Sequence, residues 1–402
     1  MTTEIPIRES ITDKNSNFNI KRFKLGKLNI DTHTKVIDAK KTDYSFFKTQ
    51  ENDFKNILFE TSKKISNDSI QRVIKSRSDA SINQLFGYSA WADKYENVVS
   101  LTFDFNPFTE YDIEKDLSGF FDYYYEFSKT ALLVPNIKAT ENIYKINQKN
   151  KPQKIGERPL IQFNEYLKFV QEVSRLLGFK NKKPIFVPLS LKFDIVDIPK
   201  IAREYLKNDF FNIWIDFEGN TATNKPKLAK IRSFLREVQK QKRLDDIIIY
   251  STNIRREITS NIKSDQSPAS DILTSLSGAN IIGVNREPAF VPESPAPYEE
   301  LMRIREHKAR IFEKDTYYYR KLGTHGDLSE NPLFNPNNNS LFNAKLLNQE
   351  FDKQGNEFLE NQSIKNYISN KKMLKEYKDG DLINTLFFDK STPIQTTFDV
   401  DI

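Results

Sequence analysis

The stretch FNIWIDFEGN, residues 211–220, places two carboxylates at the end of an apolar run. Side chains alternate between the two faces of a β-strand, so Asp216 and Glu218 are predicted to lie on one face, with Cα atoms roughly 6.5–7 Å apart. Carboxylates this close influence each other's pKa, and one of them can keep its proton near neutral pH. Such a pair can divide the roles of acid and base, or of acid and nucleophile. We therefore predict that both residues are catalytic.

A third carboxylate, Asp104, lies near the end of the apolar run VVSLTFDFN, residues 98–106, and is predicted to join this catalytic group. Two other interpretations stay open. The acids together can hold Mg²⁺, which prefers oxygen ligands. Alternatively they pair with Lys192, Arg255 or Arg256 and only hold loops in place.

Other polar side chains fall where further apolar runs end. Lys192 is a candidate Schiff-base amine, phosphate contact or carboxylate partner. Asparagine side chains at strand ends suit hydrogen bonding to a base or sugar, and arginines suit an anionic substrate. The predicted substrate-binding residues are Glu60, Asn106, Asn136, Lys192, Asn253, Arg255, Arg256, Asn285 and Arg286.

Composition excludes several kinds of site. The chain has no cysteine and only three histidines, His33, His307 and His325, which are scattered along the sequence. Thiolate zinc sites, disulfides and a cysteine nucleophile are therefore excluded, and no zinc is expected. Walker A, G-x-G-x-x-G, G-x-S-x-G and H-E-x-x-H motifs are also absent, which disfavours NTPases, dinucleotide-dependent enzymes, serine hydrolases and zinc proteases. No cofactor is predicted, with magnesium left open.

The charge balance is compatible with nucleic acid as a partner. Lys and Arg number 61 against 55 Asp and Glu, for a net charge of +6. This excess permits binding to RNA or DNA without requiring it, since an ordinary lysine-rich surface has the same balance. The tyrosine-rich stretches FFDYYYEF (120–127) and DTYYYRKL (315–322) can stack on bases, although such residues more often pack a helix onto the core.

The sequence predicts no contact with a membrane. It has no run of about 18 apolar residues. The opening MTTEIPIRESITDKNSN lacks the apolar segment of a signal peptide. We therefore expect a cytoplasmic location.

The elements that must position these residues follow from the apolar pattern. Seven short apolar runs between residues 56 and 285 alternate with amphipathic helical stretches such as FNEYLKFVQEVSRLLGF and KLAKIRSFLREVQKQ, which predicts parallel strands in βαβ units. Most runs have one continuously apolar face, whereas the other face turns polar toward its carboxyl end. This pattern predicts a (β/α)8 TIM-like barrel with a polar mouth, TKVIDA (34–39) supplying an eighth strand. A doubly wound sheet is the alternative, because it also places polar groups at the carboxyl ends of its strands.

Three parts of the chain are predicted. Residues 1–20 are polar and are predicted to be a disordered tail. Residues 21–290 are assigned to the barrel, with an N-terminal β-hairpin over 23–41. Residues 291–402 are predicted to be a C-terminal extension, helical with a polar tail, and a candidate surface for a protein partner. Within it we expect a helix from about residue 297, and turns over NPLFNPNNNS, residues 331–340.

Two stretches resemble the tRNA-guanine transglycosylase family and its DNA-modifying relatives. FKLGKLNIDTHTKVIDAKK is similar to that family's N-terminal hairpin, and LSGANIIGVNREP is similar to its late barrel strand. The resemblance implies a TIM barrel that exchanges a base in nucleic acid through a catalytic Asp. That Asp is expected where this chain has Gly283 or Asn285, and the family's Cys-rich zinc motif and Asp-Ser-Gly-Gly motif are absent. No catalytic residue carries over, so a relationship implies that the role has moved, to Asp104 or Asp216, or that the barrel no longer catalyses.

The sequence thus supports three functional hypotheses. The first is an enzyme of the base-exchange or glycosyl-transfer type, acting on a nucleic-acid base, nucleoside or sugar. In it Asp216 or Asp104 is nucleophile or base, and Glu218 is acid or partner. The second is a non-catalytic barrel that binds nucleic acid or a partner protein. The third is a glycoside hydrolase acting on oligosaccharides.

Overall fold

The computed structural model describes residues 4–76, 78–87, 90–138, 140–147, 151–180, 182–256, 265–286, 309–323, 331–376 and 381–388. The strands are β1 (Ile7–Thr12), β2 (Asn19–Leu25), β3 (Leu28–Ile30), β4 (Thr34–Lys35), β5 (Ile37–Asp38), β6 (Leu58–Ile65), β7 (Glu96–Phe103), β8 (Leu132–Leu133), β9 (Asn136–Ile137), β10 (Thr140–Ile146), β11 (Pro152–Pro159), β12 (Ile185–Pro188), β13 (Asn212–Asp216), β14 (Ile248–Thr252), β15 (Gln266–Pro268), β16 (Ile281–Ile282), β17 (Arg310–Glu313) and β18 (Tyr318–Lys321). The α-helices are α1 (Tyr44–Gln50), α2 (Asn67–Ser76), α3 (Asp79–Phe86), α4 (Ile113–Asp116), α5 (Ser118–Phe127), α6 (Phe163–Gly178), α7 (Ile198–Lys207), α8 (Lys225–Lys240), α9 (Pro336–Asn361), α10 (Lys365–Ser369), α11 (Lys372–Glu376) and α12 (Asp381–Leu386).

Two parallel sheets form the centre of this mixed α/β fold. One has six strands in the order β4-β16-β14-β13-β12-β8, and the other has four in the order β5-β6-β7-β9. Every neighbouring pair in both sheets is parallel. The carboxyl ends of the strands within each sheet therefore lie along one edge, as the βαβ pattern of the sequence predicted.

The predicted closed (β/α)8 barrel is wrong, because the strand pairing of the described residues forms two separate sheets of six and four strands. Two stretches that were each expected to form a single strand, TKVIDA (34–39) and ALLVPNI (131–137), are divided into two strands. Only Val36 separates β4 from β5, and its N–H still donates to Ile282 of the six-stranded sheet at 2.8 Å. Val134 and Pro135 separate β8 from β9. Proline has no N–H to donate to a neighbouring strand. Pairing with the six-stranded sheet therefore stops before Pro135, and pairing with the four-stranded sheet begins after it.

Amphipathic helices cover the outer faces of the sheets. Helix α6 ends at Gly178, and it begins with a capping box in which the Glu165 carboxylate accepts the N–H of Gln162 at 3.1 Å. Helix α8 begins after Asn224, whose side chain accepts the N–H of Lys227 at 3.1 Å. The apolar stripes of both helices are buried against the strands, which fixes the loops at the carboxyl edges.

The N-terminal residues pack against the opposite ends of the strands. Strands β1, β2 and β3 form an antiparallel sheet, which confirms the first part of the hairpin predicted over 23–41. Its second part, β4 and β5, belongs instead to the two parallel sheets. The predicted disorder of residues 1–20 is wrong for residues 7–12, since β1 pairs with β2 through backbone hydrogen bonds that do not depend on side-chain polarity. Phe23 and Leu25 of β2 join a buried cluster with Leu58 and Val98, near the amino ends of their strands. The carboxyl edge is left for function.

The C-terminal extension differs in part from the prediction. Strands β15, β18 and β17 form a small antiparallel sheet, so Ile311 lies in a strand and not in the expected helix. The helix was expected to begin at about residue 297, and residues 297–308 lie outside the described part of the chain. Residues 336–340 begin helix α9 instead of forming turns, because Asn335 caps the helix and Pro336 suits its first position. Helix α9 packs against β4, β5 and β17.

Candidate functional site

Asp216, the last residue of β13, is the best-positioned carboxyl group among the predicted catalytic residues. Its side chain is buried, with 4% of the residue exposed. The Oδ1 atom accepts hydrogen bonds from the Glu218 N–H at 2.7 Å and the Asn253 amide at 3.0 Å. The Oδ2 atom accepts one from the Thr102 hydroxyl at 3.0 Å. Because Thr102 belongs to the four-stranded sheet, this carboxyl group bridges the two sheets.

The surroundings of Asp216 favour its protonated form. Burial raises the pKa of this carboxyl above its ordinary value, and the nearby charge of Glu218 raises it further. The three hydrogen bonds act in the opposite direction without reversing the shift. Asp216 is thus suited to hold a proton and to transfer it, as the acid–base hypothesis requires.

Glu218 lies just beyond β13 and has a different environment. Its carboxylate contacts the ammonium groups of Lys192 at 3.1 Å and Lys227 at 3.3 Å. Lys192 is therefore a carboxylate partner, one of the roles that the sequence left open for it. Burial lowers the pKa of Lys227, with Glu218 acting against that shift. The acids do not share one environment: Asp216 is buried among neutral donors, whereas Glu218 is held by two cations.

The backbone of this edge is strained at two neighbouring strand ends. Glu218 and Asn253 both have φ of 54°, in the left-handed region. Asn tolerates this conformation and Glu seldom adopts it. The loop is nevertheless held, because the N–H groups of Phe217 and Gly219 donate to Thr252 and Asn253 at 2.9 and 2.7 Å. Strained residues that the surrounding structure holds in place cluster at functional sites.

Other predicted residues are engaged away from Asp216. Asp104 was expected beside Asp216, but it forms an ion pair with Lys64 at 3.1 Å. The residue that contacts Asp216 from this strand is Thr102. Asn106 caps a short 3-10 helix by accepting the N–H of Phe108 at 3.0 Å. Asn136 is buried and accepts the hydroxyl of Tyr166 at 3.3 Å.

Glu60 is fully buried in the fold, with 0% exposure. Its Oε1 atom accepts the hydroxyls of Ser100 at 2.5 Å and Thr252 at 2.7 Å. Its Oε2 atom accepts the Tyr250 hydroxyl at 2.7 Å and the Val284 N–H at 2.9 Å. Burial raises the pKa of this carboxyl. Glu60 was predicted to bind substrate, and the structure instead makes it a connector between the two sheets.

Position 283 has no room for the side chain that the family resemblance expects there. A Cβ on Gly283 would lie 2.4 Å from Oε2 of Glu60 and 2.6 Å from Cβ of Thr252. The alternative position, Asn285, accepts the Lys35 ammonium at 2.8 Å and donates to Asp271 at 2.7 Å. The contacts around these positions explain why the chain has a glycine and an asparagine there.

The three predicted arginines lie on the loops that follow β14 and β16. The guanidinium of Arg256 lies 4.8 Å from the centre of the Tyr319 ring. The N–H of Arg255 donates to Asn220 at 2.9 Å, and that of Arg286 donates to Ile254 at 2.9 Å. The stretch STNIRREITSNIK, residues 251–263, has the pattern of a helix that begins at Arg255 and Arg256, but its residues from 257 onward lie outside the described part of the chain.

Several residues of the site were missed by sequence reasoning. In the sequence Thr102 is only a polar residue that alternates with Leu101 and Phe103, and Lys227 begins the amphipathic stretch KLAKIRSFLREVQKQ. Lys35 lies in TKVIDA, which was assigned to a strand, and Asp271 had no predicted role. Each becomes recognisable only when the packing brings it to the edge of the sheets.

Within the described part of the chain, no group of three or more His, Cys, Asp and Glu side chains is arranged to hold a metal ion. No helix in the same residues is long and apolar enough to cross a membrane. Comparison with known proteins finds no family model and no curated protein that matches the chain.

Proposed function

We propose that the protein is an enzyme of the glycosyl-transfer type that acts on a nucleobase, nucleoside or sugar-containing substrate, with Asp216 as its acid–base group. The observation that carries the proposal is the position of Asp216 at the carboxyl edge. It is buried, its pKa is raised, and donors from three separate segments hold it. Perturbed carboxyls held in this way are typical of acid–base sites.

A proton-balanced cycle follows from this role. Asp216 gives its proton to the leaving base as the bond between the sugar carbon and the base nitrogen breaks, and the electron pair of that bond stays with the base. An incoming base then bonds to the sugar carbon and returns its proton to Asp216. The carboxyl ends the cycle as it began, so the exchange consumes no water and no redox partner.

The neighbours of Asp216 act on it as positioning residues. Thr102 and Asn253 orient the carboxyl group, and the Glu218 charge raises its pKa. The cations Lys192 and Lys227 keep Glu218 in place without contacting Asp216 through any of the described hydrogen bonds. In this arrangement Glu218 is the partner of the acid and not the acid itself.

A projecting hairpin supports nucleic acid as the substrate class. Strands β10 and β11 pair only with each other and follow β9, so they leave from the carboxyl edge of the four-stranded sheet. Apolar side chains are exposed on this hairpin, to 58% for Tyr144 and 70% for Ile146. Lys145 and Lys151 are exposed beside them. Exposed rings next to lysines suit base stacking and phosphate contact.

The variant Asp216→Asn tests the acid–base role. Asparagine can keep the Oδ1 acceptor for Asn253 and Glu218, and its amide can donate to Thr102, so the fold is expected to be retained. We expect incorporation of radiolabelled guanine into RNA or DNA to fall about 10²–10⁴-fold, the usual contribution of a general acid–base group. The assay compares transfer RNA, single-stranded DNA and duplex DNA as acceptors.

Asp104→Asn is the matched control, since it makes the same chemical change at the same edge on a residue paired with Lys64. It should retain most of the wild-type rate. Equal rates for wild type and Asp216→Asn, with both proteins folded, would contradict the proposal.

A second candidate, a nucleic-acid-binding protein without catalysis, is favoured by the same β10–β11 hairpin. In that case wild type incorporates no base into any acceptor, and Asp216→Asn binds nucleic acid as tightly as wild type does. The incorporation assay on wild type therefore separates the candidates.

A further inference from the structure

A cavity lies at the carboxyl edge, apart from Asp216. Its volume is about 210 Å³, and it is enclosed by the first half of α9, the segment β4–β5 and the residues after β16. Neither Asp216 nor Glu218 lines it. Its polar lining is Lys35, Asp38, Lys41, Thr42, Arg256, Asn285, Asn339, Ser340 and Asn343.

The charges of this lining are mostly positive. Three cationic side chains, those of Lys35, Lys41 and Arg256, face one carboxylate, that of Asp38. That carboxylate is already engaged, because it accepts the N–H groups of Lys40 and Lys41 at 3.0 and 3.3 Å. The Lys41 ammonium also lies 3.6 Å from it. Asp271, which contacts Asn285 behind the cavity, offsets one cation and leaves the lining positive.

A buried amide donor of the lining is unsatisfied. Asn339 is 2% exposed, and its Nδ2 has no hydrogen-bond partner among the described residues. Its Oδ1 accepts the amide of Asn343 at 3.1 Å, which fixes the orientation of the group and leaves the NH₂ as a donor. Buried polar groups are nearly always paired, so an unpaired donor in the wall of a cavity indicates an absent acceptor.

The position of Asn339 in its helix also favours an acceptor that is negatively charged. It lies in the first turn and a half of α9, a helix of 26 residues. The amino end of a helix carries a partial positive charge and favours anions.

We propose that this cavity binds a phosphoryl group. The group would accept a hydrogen bond from Asn339 and lie among the positive charges of Lys35, Lys41 and Arg256. A volume of about 210 Å³ is below the roughly 300 Å³ of sites for drug-sized ligands, so it suits the phosphoryl end of a ligand more than a whole nucleotide. The phosphoryl group can come from a free phosphomonoester or from a nucleic-acid backbone. The inference goes beyond the glycosyl-transfer proposal and does not depend on it.

Thermal unfolding of the full chain tests the site at constant ionic strength. The ligands are inorganic phosphate, adenosine monophosphate and an oligonucleotide with a 5′-hydroxyl end, each titrated against chloride. Wild type is expected to show a saturable rise in Tm with at least one of them. Protection by the monophosphate assigns the site to a small phosphomonoester, and protection by the oligonucleotide alone assigns it to backbone phosphate.

The decisive variant is Asn339→Asp. It keeps the acceptor for Asn343 and replaces the unpaired donor by a second, negatively charged acceptor. The fold should persist because acidic residues near the amino end of a helix are favourable. We expect the apparent Kd for the protecting ligand to rise at least about tenfold, the effect of losing one charge-assisted hydrogen bond.

Asn337→Asp is the matched control, with the same charge change in the same helix turn on a residue that does not line the cavity. Its apparent Kd should stay within about twofold of wild type. The proposal is overturned if wild type shows no saturable protection, or if Asn339→Asp is protected as well as Asn337→Asp.

Discussion

The two buried carboxyl groups of Glu60 and Asp216 differ in how many further hydrogen bonds their oxygens can accept. In Glu60 each oxygen accepts two hydrogen bonds from the protein. In Asp216 the Oδ2 atom accepts one among the described residues, that of Thr102. A carboxylate oxygen can accept about two, so Asp216 keeps capacity for a substrate atom. The raised pKa is common to both, and the hydrogen bonds distinguish a structural acid from a reactive one.

The structural role of Glu60 leads to a prediction at this scale. Glu60→Gln should lower the free energy of unfolding by about 1–3 kcal/mol, since the new NH₂ group must face donors of Ser100 and Thr252 or of Tyr250 and Val284. Urea unfolding at neutral pH measures the loss. Glu218→Gln is the comparison, because Glu218 is a partly exposed ion-pair partner whose loss should cost under about 1 kcal/mol. Equal losses for the two variants would remove the argument that Glu60 connects the sheets.

At the scale of elements, the sequence indicated local structure correctly, but it did not indicate which strands are neighbours in a sheet. The apolar stripes of α6 and α8 depend on residues about one turn apart in the same helix, so the sequence showed them. The division of the strands at Val36 and Pro135 depends on which neighbouring strand lies on each side, and no local pattern records that.

The candidate site was predictable to the same extent. Asp216 and its strand end were found from period-two alternation, and the Lys192–Glu218 pair was one of the stated alternatives. Thr102 and Asn253 reach Asp216 from positions 114 and 37 residues away in sequence. Such contacts arise from tertiary packing, which spacing along one strand does not reveal.

The β10–β11 hairpin gives a prediction for one element. The double variant Lys145→Glu with Lys151→Glu should weaken binding to RNA or DNA and reduce the slope of log K against log salt by about 2, one unit for each lost phosphate contact. Tm should change little, because both lysines are exposed. Fluorescence anisotropy over a salt series gives the slopes.

Lys365→Glu with Lys375→Glu provides the control, since both residues are exposed lysines of the C-terminal extension and the net charge changes equally. If the two double variants lose affinity equally, binding follows net charge, and the hairpin has no special part in it.

At the scale of the whole molecule, one buried side chain connects the chain's two ends. His33 lies between Phe18 of the N-terminal region and Phe351 of α9, with ring centres 4.7 and 5.8 Å away. It is 2% exposed, and neither ring nitrogen has a hydrogen-bond partner among the described residues. Burial lowers the pKa of this imidazole to about 3. The docking of α9 onto the N-terminal region therefore requires a neutral ring.

The titration of His33 should therefore lower the stability of the whole chain in mild acid. The unfolded imidazole binds a proton below its usual pKa of about 6.5, whereas the folded ring stays neutral down to about 3. Protonation thus favours unfolding, and this part of the stability is lost as the pH falls from 6.5, at up to about 1.4 kcal/mol per pH unit. Glu60, Asp216 and Asp271, with raised pKa values, act in the opposite sense.

His33→Phe isolates the histidine contribution, because the three carboxyls are common to both proteins and cancel in the difference. Phenylalanine suits a site between two aromatic rings and abolishes the titration. Urea unfolding at pH 7.5, 6 and 5 should show wild type losing free energy of unfolding relative to the variant, by about 1–2 kcal/mol between pH 7.5 and 5. Parallel pH profiles would mean that the ring is protonated in the folded protein or that the two ends separate before the chain unfolds.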